Sequence, residues 1–417
     1  MRSKTAIYNV TTNLILQAIV IIYGLIVPKL IISNYGSDVN GLISSISQFL
    51  GYITLLEAGF GPVVKSVLYK PIAKNNKKEI ANILKTSERF FRKIAIIFVL
   101  YIIVLSLFYP LIINSTFDYL YTASLIIIIS ISTFTEYFFG MTYNLFLQSK
   151  QRNYVISIIQ TVTYIICITI ILVLIKLNVS IHTIKFITAI IFILRPICQK
   201  IYFDKKFSID LKTTNDNYCI KNKWDGLVQH IAWVIHNNTD VVILTFFSNL
   251  SEISVYSVYL LIVRGIKSII QAFSSGIDSI FGDMLVKKET DNIKEKFGIY
   301  ETLYFFITTI IFTCTLVLIV PFVQVYTKDI TDVNYIRYTF GALLVISEYI
   351  WAIRLPYSSI ISSAGHFKET RKGAWVEAIV NIIISLILVK KYGIVGVAIG
   401  TIIAMAIRTI EFIYLLV

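Results

Sequence analysis

Charge is scarce in this chain. Asp, Glu, Lys and Arg make up 15% of its 417 residues, where a soluble protein carries about a quarter. Hydrophobic residues reach 56%, and mean hydropathy is +0.76. Together these exclude an ordinary soluble enzyme, a disordered chain and a nucleic-acid module. Cysteine is sparse too. Cys167, Cys198, Cys219 and Cys314 show no metal or redox spacing, and three fall in apolar runs, so they read as small buried apolar residues. A phosphate-cradling loop is missing: "GFGPVVKS" comes near one, but Val64 stands where the glycine before Lys65 belongs, so ATP is not the direct drive. There is no His-Glu-x-x-His, and His230 and His236 are six apart, off the usual ligand spacing. No low-complexity segment is present.

What the chain has instead is long apolar runs. A spanning helix needs about 20 mostly apolar residues. Twelve such segments fall at 7–32, 39–68, 90–113, 119–147, 154–177, 181–202, 226–247, 255–285, 297–322, 335–363, 373–389 and 393–417. Runs such as "SLIIIISIS" are continuous rather than alternating, which favours helices over an outer-membrane barrel. Arg2 and Lys4 precede the first run. That run is longer than the core of a secretory signal, about 7–15 residues, and is expected to stay as an uncleaved first helix.

The 38 Lys+Arg explain themselves by topology. With the N-terminus in the cytoplasm, 25 fall in segments on that side, 7 on the other and 6 within spans. Basic residues mark the cytoplasmic side, so a multi-pass protein of the bacterial cytoplasmic membrane with both termini inside is expected, and no acidic partner is needed.

The polar stretch 203–225 divides the chain into an expected N-terminal six-helix lobe, 1–205, and a C-terminal six-helix lobe, 206–417. An even number of spans on each side permits a parallel repeat. The segment starting at Val39 ("VNGLISSISQFLGYITLLEAGF") faintly echoes the one starting at Val255 ("VYSVYLLIVRGIKSIIQAFSSG").

Eight charges lie deep in the spans: Glu57, Glu136, Arg195, Asp240, Arg264, Lys267, Glu348 and Arg354. Each costs about 2.5–3.5 kcal/mol at mid-bilayer, so they must face water or one another. Helical spacing groups them. Arg264, Lys267, Gln271, Ser275 and Asp278 share one face of the eighth span. Gln229, Trp233, His236 and Asp240 follow a similar spacing in the seventh. The first carries Asn9, Asn13, Gln17, Gly24 and Pro28; the fourth, Ser132, Glu136, Gly140 and Tyr143; the tenth, Glu348, Trp351, Arg354 and Ser358. Small and hydroxyl residues in these stripes also suit interhelical packing. Arg264 and Lys267 are different: two cations one turn apart repel and attract an anion. Asp240 and Glu57 suit either ion coupling or pairing with a nearby arginine. Lys65 and Arg408, near the inner ends, read as snorkelling. Pro28, Pro62, Pro196 and Pro356 read as helix bends.

The stretch "SAGHFKETRKGAWVEAIVNIIISLILVKKYGIVGVAIGTIIAMAIRT" (363–409) resembles the late region of polysaccharide-biosynthesis flippases, the O-antigen and capsule type. These belong to the multidrug/oligosaccharidyl-lipid/polysaccharide exporter superfamily. Gly365, Lys368, Glu377, Asn381, Gly393, Gly396 and Gly400 stand where that pattern expects them. "HIAWVIHNNTDVVIL", with Asn238 and Asp240, is similar to the family's seventh helix, and "YGSDVNGLISSISQFLGYITLLEAGFGPVVKSV" to its second. The resemblance implies an all-α fold of about twelve transmembrane helices in two six-helix lobes, V-shaped. It further implies a cleft lined by helices one, two, seven and eight, and an undecaprenyl-diphosphate-linked oligosaccharide as substrate. The first helix carries Asn13 and Gln17 rather than the arginines of peptidoglycan-precursor flippases.

The expected function is therefore a lipid-linked oligosaccharide flippase working by alternating access, and not an enzyme. Arg264 and Lys267, with Arg354 or Arg195, are the expected diphosphate contacts, with Gln271 beside them and Trp233 and Trp351 to stack on sugar rings. Asp240, Glu57 and Glu136 are the candidates for coupling H+, Na+ or the membrane potential; no cofactor is expected. Membrane lipid, a polysaccharide polymerase and other assembly proteins are the expected partners. The alternative is a cation-coupled multidrug exporter of the same fold. A membrane-embedded polymerase or glycosyltransferase needs a sizeable outer loop, and the longest here is about ten residues, near 326–337.

Overall fold

A computed structural model describes residues 2–57, 59–113, 117–209, 227–286, 290–363 and 369–416; within its helices, the side chains of 2–4, 227–230, 232–233, 236–237, 272–273, 275–283, 285–286, 290–293, 362–363 and 416 also lie outside the description. Every regular element among the described residues is a helix. The reason is local: inside hydrocarbon a backbone must satisfy its own hydrogen bonds, and a helix does so within one segment. Eleven described helices are long and apolar enough to span a membrane, and a shorter apolar stretch, Asn238–Phe247, lies within a twelfth.

In order, the helices are α1 (Arg2–Tyr35), α2 (Ser37–Gly51), α3 (Thr54–Glu57), α4 (Phe60–Ala73), α5 (Lys77–Ile112) and α6 (Tyr119–Thr135). A five-residue π turn, Glu136–Gly140, leads to α7 (Met141–Ser149), α8 (Asn153–Lys176) and α9 (Ile181–Phe207). Then come α10 (Leu227–Phe247), α11 (Leu250–Val286), α12 (Thr290–Tyr326), α13 (Tyr338–Ser363), α14 (Arg371–Tyr392) and α15 (Ile394–Leu416).

Two expected continuous spans are interrupted. The second breaks after Gly51 and again before Phe60. At the first break Tyr52 and Ile53 donate to Phe49 and Leu50 at 3.2 Å, a tighter turn than the α-helix. The Phe49 carbonyl also accepts from the Tyr101 hydroxyl at 2.9 Å. Pro62 is the third residue of α4. Its missing N–H is one that a first helical turn leaves unbonded anyway, so Pro62 starts a helix rather than bending one. The fourth span is interrupted by the π turn, which begins at Glu136.

The helices form two compact units. One comprises Met1–Tyr35 with Ile46–Ile231, the other Gly36–Ser45 with Ala232–Val417. The division lies further along than the 205/206 boundary expected from the polar stretch, and most of that stretch, 210–226, is outside the described residues. The first unit packs α1 on α8, α5 on α6, and α9 on α6 and α8. Phe60, Phe91, Phe98, Tyr109, Phe146 and Phe203 are fully buried there. The second packs α13 against α11, α12 and α15, and α14 against α15, with Tyr259 and Phe340 fully buried. Cys167 is buried as expected, whereas Cys198 and Cys314 are exposed; Cys219 is outside the described residues.

The first turns of α2 belong to the second unit for identifiable reasons. Gly36, at φ +88°, makes the one-residue link from α1; a left-handed conformation suits glycine. Ser37 then donates to Asp332 from its backbone N–H at 2.7 Å and from its hydroxyl at 2.9 Å. Asn40 donates to Ser254 at 2.8 Å, and Ser45 pairs with Thr245 at 2.6 Å. The Tyr335 hydroxyl is 2.6 Å from Ser37 and 2.8 Å from Ser254. Gly41 allows a close approach of backbone to backbone: a Cβ there would sit 1.8 Å from the Leu250 carbonyl oxygen.

Candidate functional site

In the second unit, the paired cations of the eighth span separate. Lys267 lies 2.9 Å from Glu348 of α13, with its ammonium 4.1 Å from the centre of the Trp351 ring. Glu348 and Trp351 are three residues apart on one face of α13, so a single lysine meets a carboxylate and an aromatic face together. Trp351 is buried, at 8% exposure, and one of its faces is taken.

Arg264, one turn earlier, is exposed. It has no hydrogen bond or ion pair among the described residues. Its electrostatic neighbours are Tyr256, Glu348 and Asp240. Gln271, seven residues on and hence on the same face, is also exposed. The accessible stripe of α11 thus runs through Arg264 and Gln271, while Lys267 turns towards α13. Arg264 stands fourteen residues into α11, about 21 Å along it. A guanidinium facing lipid at that depth costs on the order of 2.5–3.5 kcal/mol, so hydrocarbon is an unfavourable neighbour for this face of α11.

Arg354 is committed elsewhere. It donates to Glu377 of α14 at 2.9 Å. Arg408 of α15 approaches the other oxygen of Glu377 at 3.6 Å, donates to the Thr370 carbonyl at 2.7 Å and pairs with Glu411. Arg408 is 6% exposed, so the snorkelling expectation is corrected: three acceptors from neighbouring turns make burial cheaper than reaching for water. Glu377 was not among the deep charges read from the sequence. Its signal was there: Glu377, Asn381 and Ser385 recur every four residues, and all three are buried in α14.

Asp240 of α10 accepts from Tyr256 at 2.8 Å and Thr401 at 3.0 Å. Asn381 reaches Thr401 at 3.5 Å, and Ser385 donates to Asn381 at 3.0 Å. Asp240 thereby heads a polar line through α10, α11, α15 and α14. Trp233 sits on α10, but its side chain, like those of Gln229, His236, Ser275 and Asp278, lies outside the described residues; so do Gly365 and Lys368.

In the first unit, Arg195 of α9 donates to Thr163 at 2.8 Å. Its guanidinium is stacked between Tyr164, at 4.3 Å, and Phe192, at 4.1 Å. Glu57, at the end of α3, accepts from Tyr137 at 3.5 Å. Glu136 opens the π turn and has Asn144 and Arg195 as electrostatic neighbours. Lys65 donates to Gln148 at 3.2 Å. Glu57 and Glu136 are thus brought to Tyr137 and its π turn, a kind of bulge frequent at functional sites.

No protein-family model matches the chain, and no curated protein matches it in sequence. Solved structures do match. It is similar to a multidrug resistance MATE family transporter of the MOP superfamily, in an inward-facing conformation, with a TM-score of 0.75 at 13% identity over 98% of this chain and 97% of that one. It is similar to the lipid II flippase MurJ, TM-score 0.69 at 14% identity, over 98% and 87%. The eukaryotic MATE transporter AtDTX14 matches with TM-score 0.69 at 13% identity, over 99% and 95%. The all-helical membrane fold of these transporters is therefore the fold of this chain.

Proposed function

We propose that this protein flips undecaprenyl-diphosphate-linked oligosaccharides across the bacterial cytoplasmic membrane for surface polysaccharide assembly, by alternating access. The observation that carries the reading is Arg264, a cation deep in α11, exposed and without an ion pair among the described residues. A diphosphate answers that charge with several strong acceptors. Lys267 lies one turn away as a second cation, held in place by Glu348 and Trp351. Gln271 extends the accessible stripe. Arg354 and Arg195 are assigned to holding the units' interiors together rather than to first contact. The head group cannot cross hydrocarbon unaided, while the polyprenyl tail stays in lipid.

Asp240, with its two hydroxyl donors, is the proposed coupling carboxylate of the second unit, and Glu57 and Glu136 those of the first, for H+, Na+ or the membrane potential. The basic loops are assigned to the cytoplasm together with both termini. The polymerase and other assembly proteins are the proposed partners.

A cation-coupled multidrug exporter is the second reading, favoured by the MATE structure at TM-score 0.75. Deletion of the gene separates the two. The flippase reading expects lipid-linked oligosaccharide to accumulate on the cytoplasmic face and surface glycan to be lost. Normal glycan with raised sensitivity to cationic drugs supports the exporter instead.

A further inference from the structure

The first unit holds a cavity of about 490 Å³ between α1, α7 and α8. That is within the ordinary range for small-molecule sites, about 300–1,000 Å³. Its lining is unusual in kind. Six carboxamides surround it: Asn9, Asn13, Asn144, Gln148, Asn153 and Gln160, together with Ser157 and three aliphatic side chains. Among the described residues, none that lines it is charged.

Three of the six are fixed by the protein. Asn9 donates to the Gln151 carbonyl at 2.9 Å and accepts from the Tyr154 N–H at 2.8 Å. Gln148 donates to Asn144 at 2.8 Å and accepts from Lys65 at 3.2 Å. Asn144 in turn is an electrostatic neighbour of Glu136. These form a rigid wall. Asn13, Asn153 and Gln160 are the opposite: their side chains have no hydrogen bond among the described residues, yet they line the cavity.

The chemistry of the lining selects the ligand. A carboxamide offers two donors beside an acceptor. An anion needs donors and positive charge, a cation needs carboxylates, and an apolar ligand needs neither. A hydroxyl both donates and accepts, so a surface carrying several hydroxyls in a row is the complement of several carboxamides in a row. We infer that this cavity is a binding site for an uncharged sugar. That its physiological occupant is the glycan of a lipid-linked head group rests on the flippase reading; the affinity for sugar does not. Asn144, an electrostatic neighbour of Glu136, puts a bound sugar close to a carboxylate proposed above for coupling.

The test uses the full-length protein in nanodiscs and saturation-transfer NMR with three defined probes, N,N′-diacetylchitobiose, maltose and lactose, at millimolar concentrations. Binding of at least one is expected. The double variant Asn13→Leu with Gln160→Leu is expected to weaken it about tenfold, from the loss of two hydrogen-bonding groups. Asn153→Leu, at an exposed position, is the second variant and is expected to weaken it in the same direction. Cys314→Ser, at an exposed position of the second unit, is expected to leave it unchanged. Failure of all three sugars to bind, or equal binding by wild type and both variants, overturns the site. The flippase reading fails separately, if deletion of the gene leaves lipid-linked intermediates at their normal level.

Discussion

The Lys267 ammonium of α11 and the Glu348 carboxylate of α13 lie 2.9 Å apart, with side chains 18% and 9% exposed. Separated by eighty-one residues in sequence, they neutralise each other inside the second unit. Breaking a buried pair from one side leaves an uncompensated charge, at a cost of about 3–5 kcal/mol, whereas apolar replacement of both members is often neutral. Glu348→Gln is therefore expected to lower the melting temperature clearly, and Lys267→Met with Glu348→Leu to restore most of it. Thermal denaturation of the purified variants, followed by circular dichroism, reads both. A double variant as unstable as the single one contradicts the account.

Arg264→Ala is expected to behave in the opposite way. No described partner is orphaned, so stability should change little. A charge-assisted hydrogen bond to substrate is worth about 1.5–3 kcal/mol, so translocation at low substrate should fall by about ten- to a hundredfold. Arg264→Lys should recover part of the loss, because it keeps the charge without the planar fork. A vesicle assay of lipid-linked oligosaccharide flipping checks this; full activity in Arg264→Ala removes the residue from the mechanism.

Glu377 joins Arg354 and Arg408 across three helices. Glu377→Gln is expected to destabilise the second unit by about 3–5 kcal/mol. It should therefore appear as poor membrane yield and a lowered melting temperature before any effect on substrate is seen. An unchanged melting temperature speaks against the bridge.

Asp240→Asn keeps the size of the side chain and its contacts with Tyr256 and Thr401 while removing the charge. Stability should fall by no more than about 1–3 kcal/mol. If Asp240 couples an ion, transport should lose its dependence on the ion gradient; an unchanged dependence moves coupling to Glu57 or Glu136.

Gly41 and Gly265 form a matched pair. An alanine Cβ at Gly41 meets the Leu250 carbonyl at 1.8 Å, whereas one at Gly265 meets nothing within 4 Å. Gly41→Ala forces backbone apart and should cost at least about 1–3 kcal/mol. Gly265→Ala should be neutral or stabilise α11 by up to about 1 kcal/mol. Melting temperatures of the two variants decide it.

Much of the helix content, and which polar residues share a stripe, were legible in the sequence. Arg264 and Gln271 fall on one face because the helical period places them there. The break at Gly51 and the π turn at Glu136 were not legible, because each sits inside a segment that is still, on average, long and apolar enough to span as one helix. Glu377 was read only as part of the family pattern and not as a buried charge, although its four-residue rhythm with Asn381 and Ser385 was visible. Asn13, Gln148, Asn153 and Gln160 were invisible as a group, since nothing local brings α1, α7 and α8 around one space.

The sequence by itself determined that this chain crosses a membrane many times as helices. Hydrocarbon offers a backbone no partners, so any long apolar run must bond to itself, and that is a local rule. Only the tertiary structure decided which buried charges were spoken for. Lys267, Arg354, Arg195 and Arg264 look alike as cations in apolar helices. Whether each meets a carboxylate, an aromatic face or an open surface depends, apart from Phe192 one turn before Arg195, on residues 23 to 84 positions away, brought near by packing that no helical period encodes.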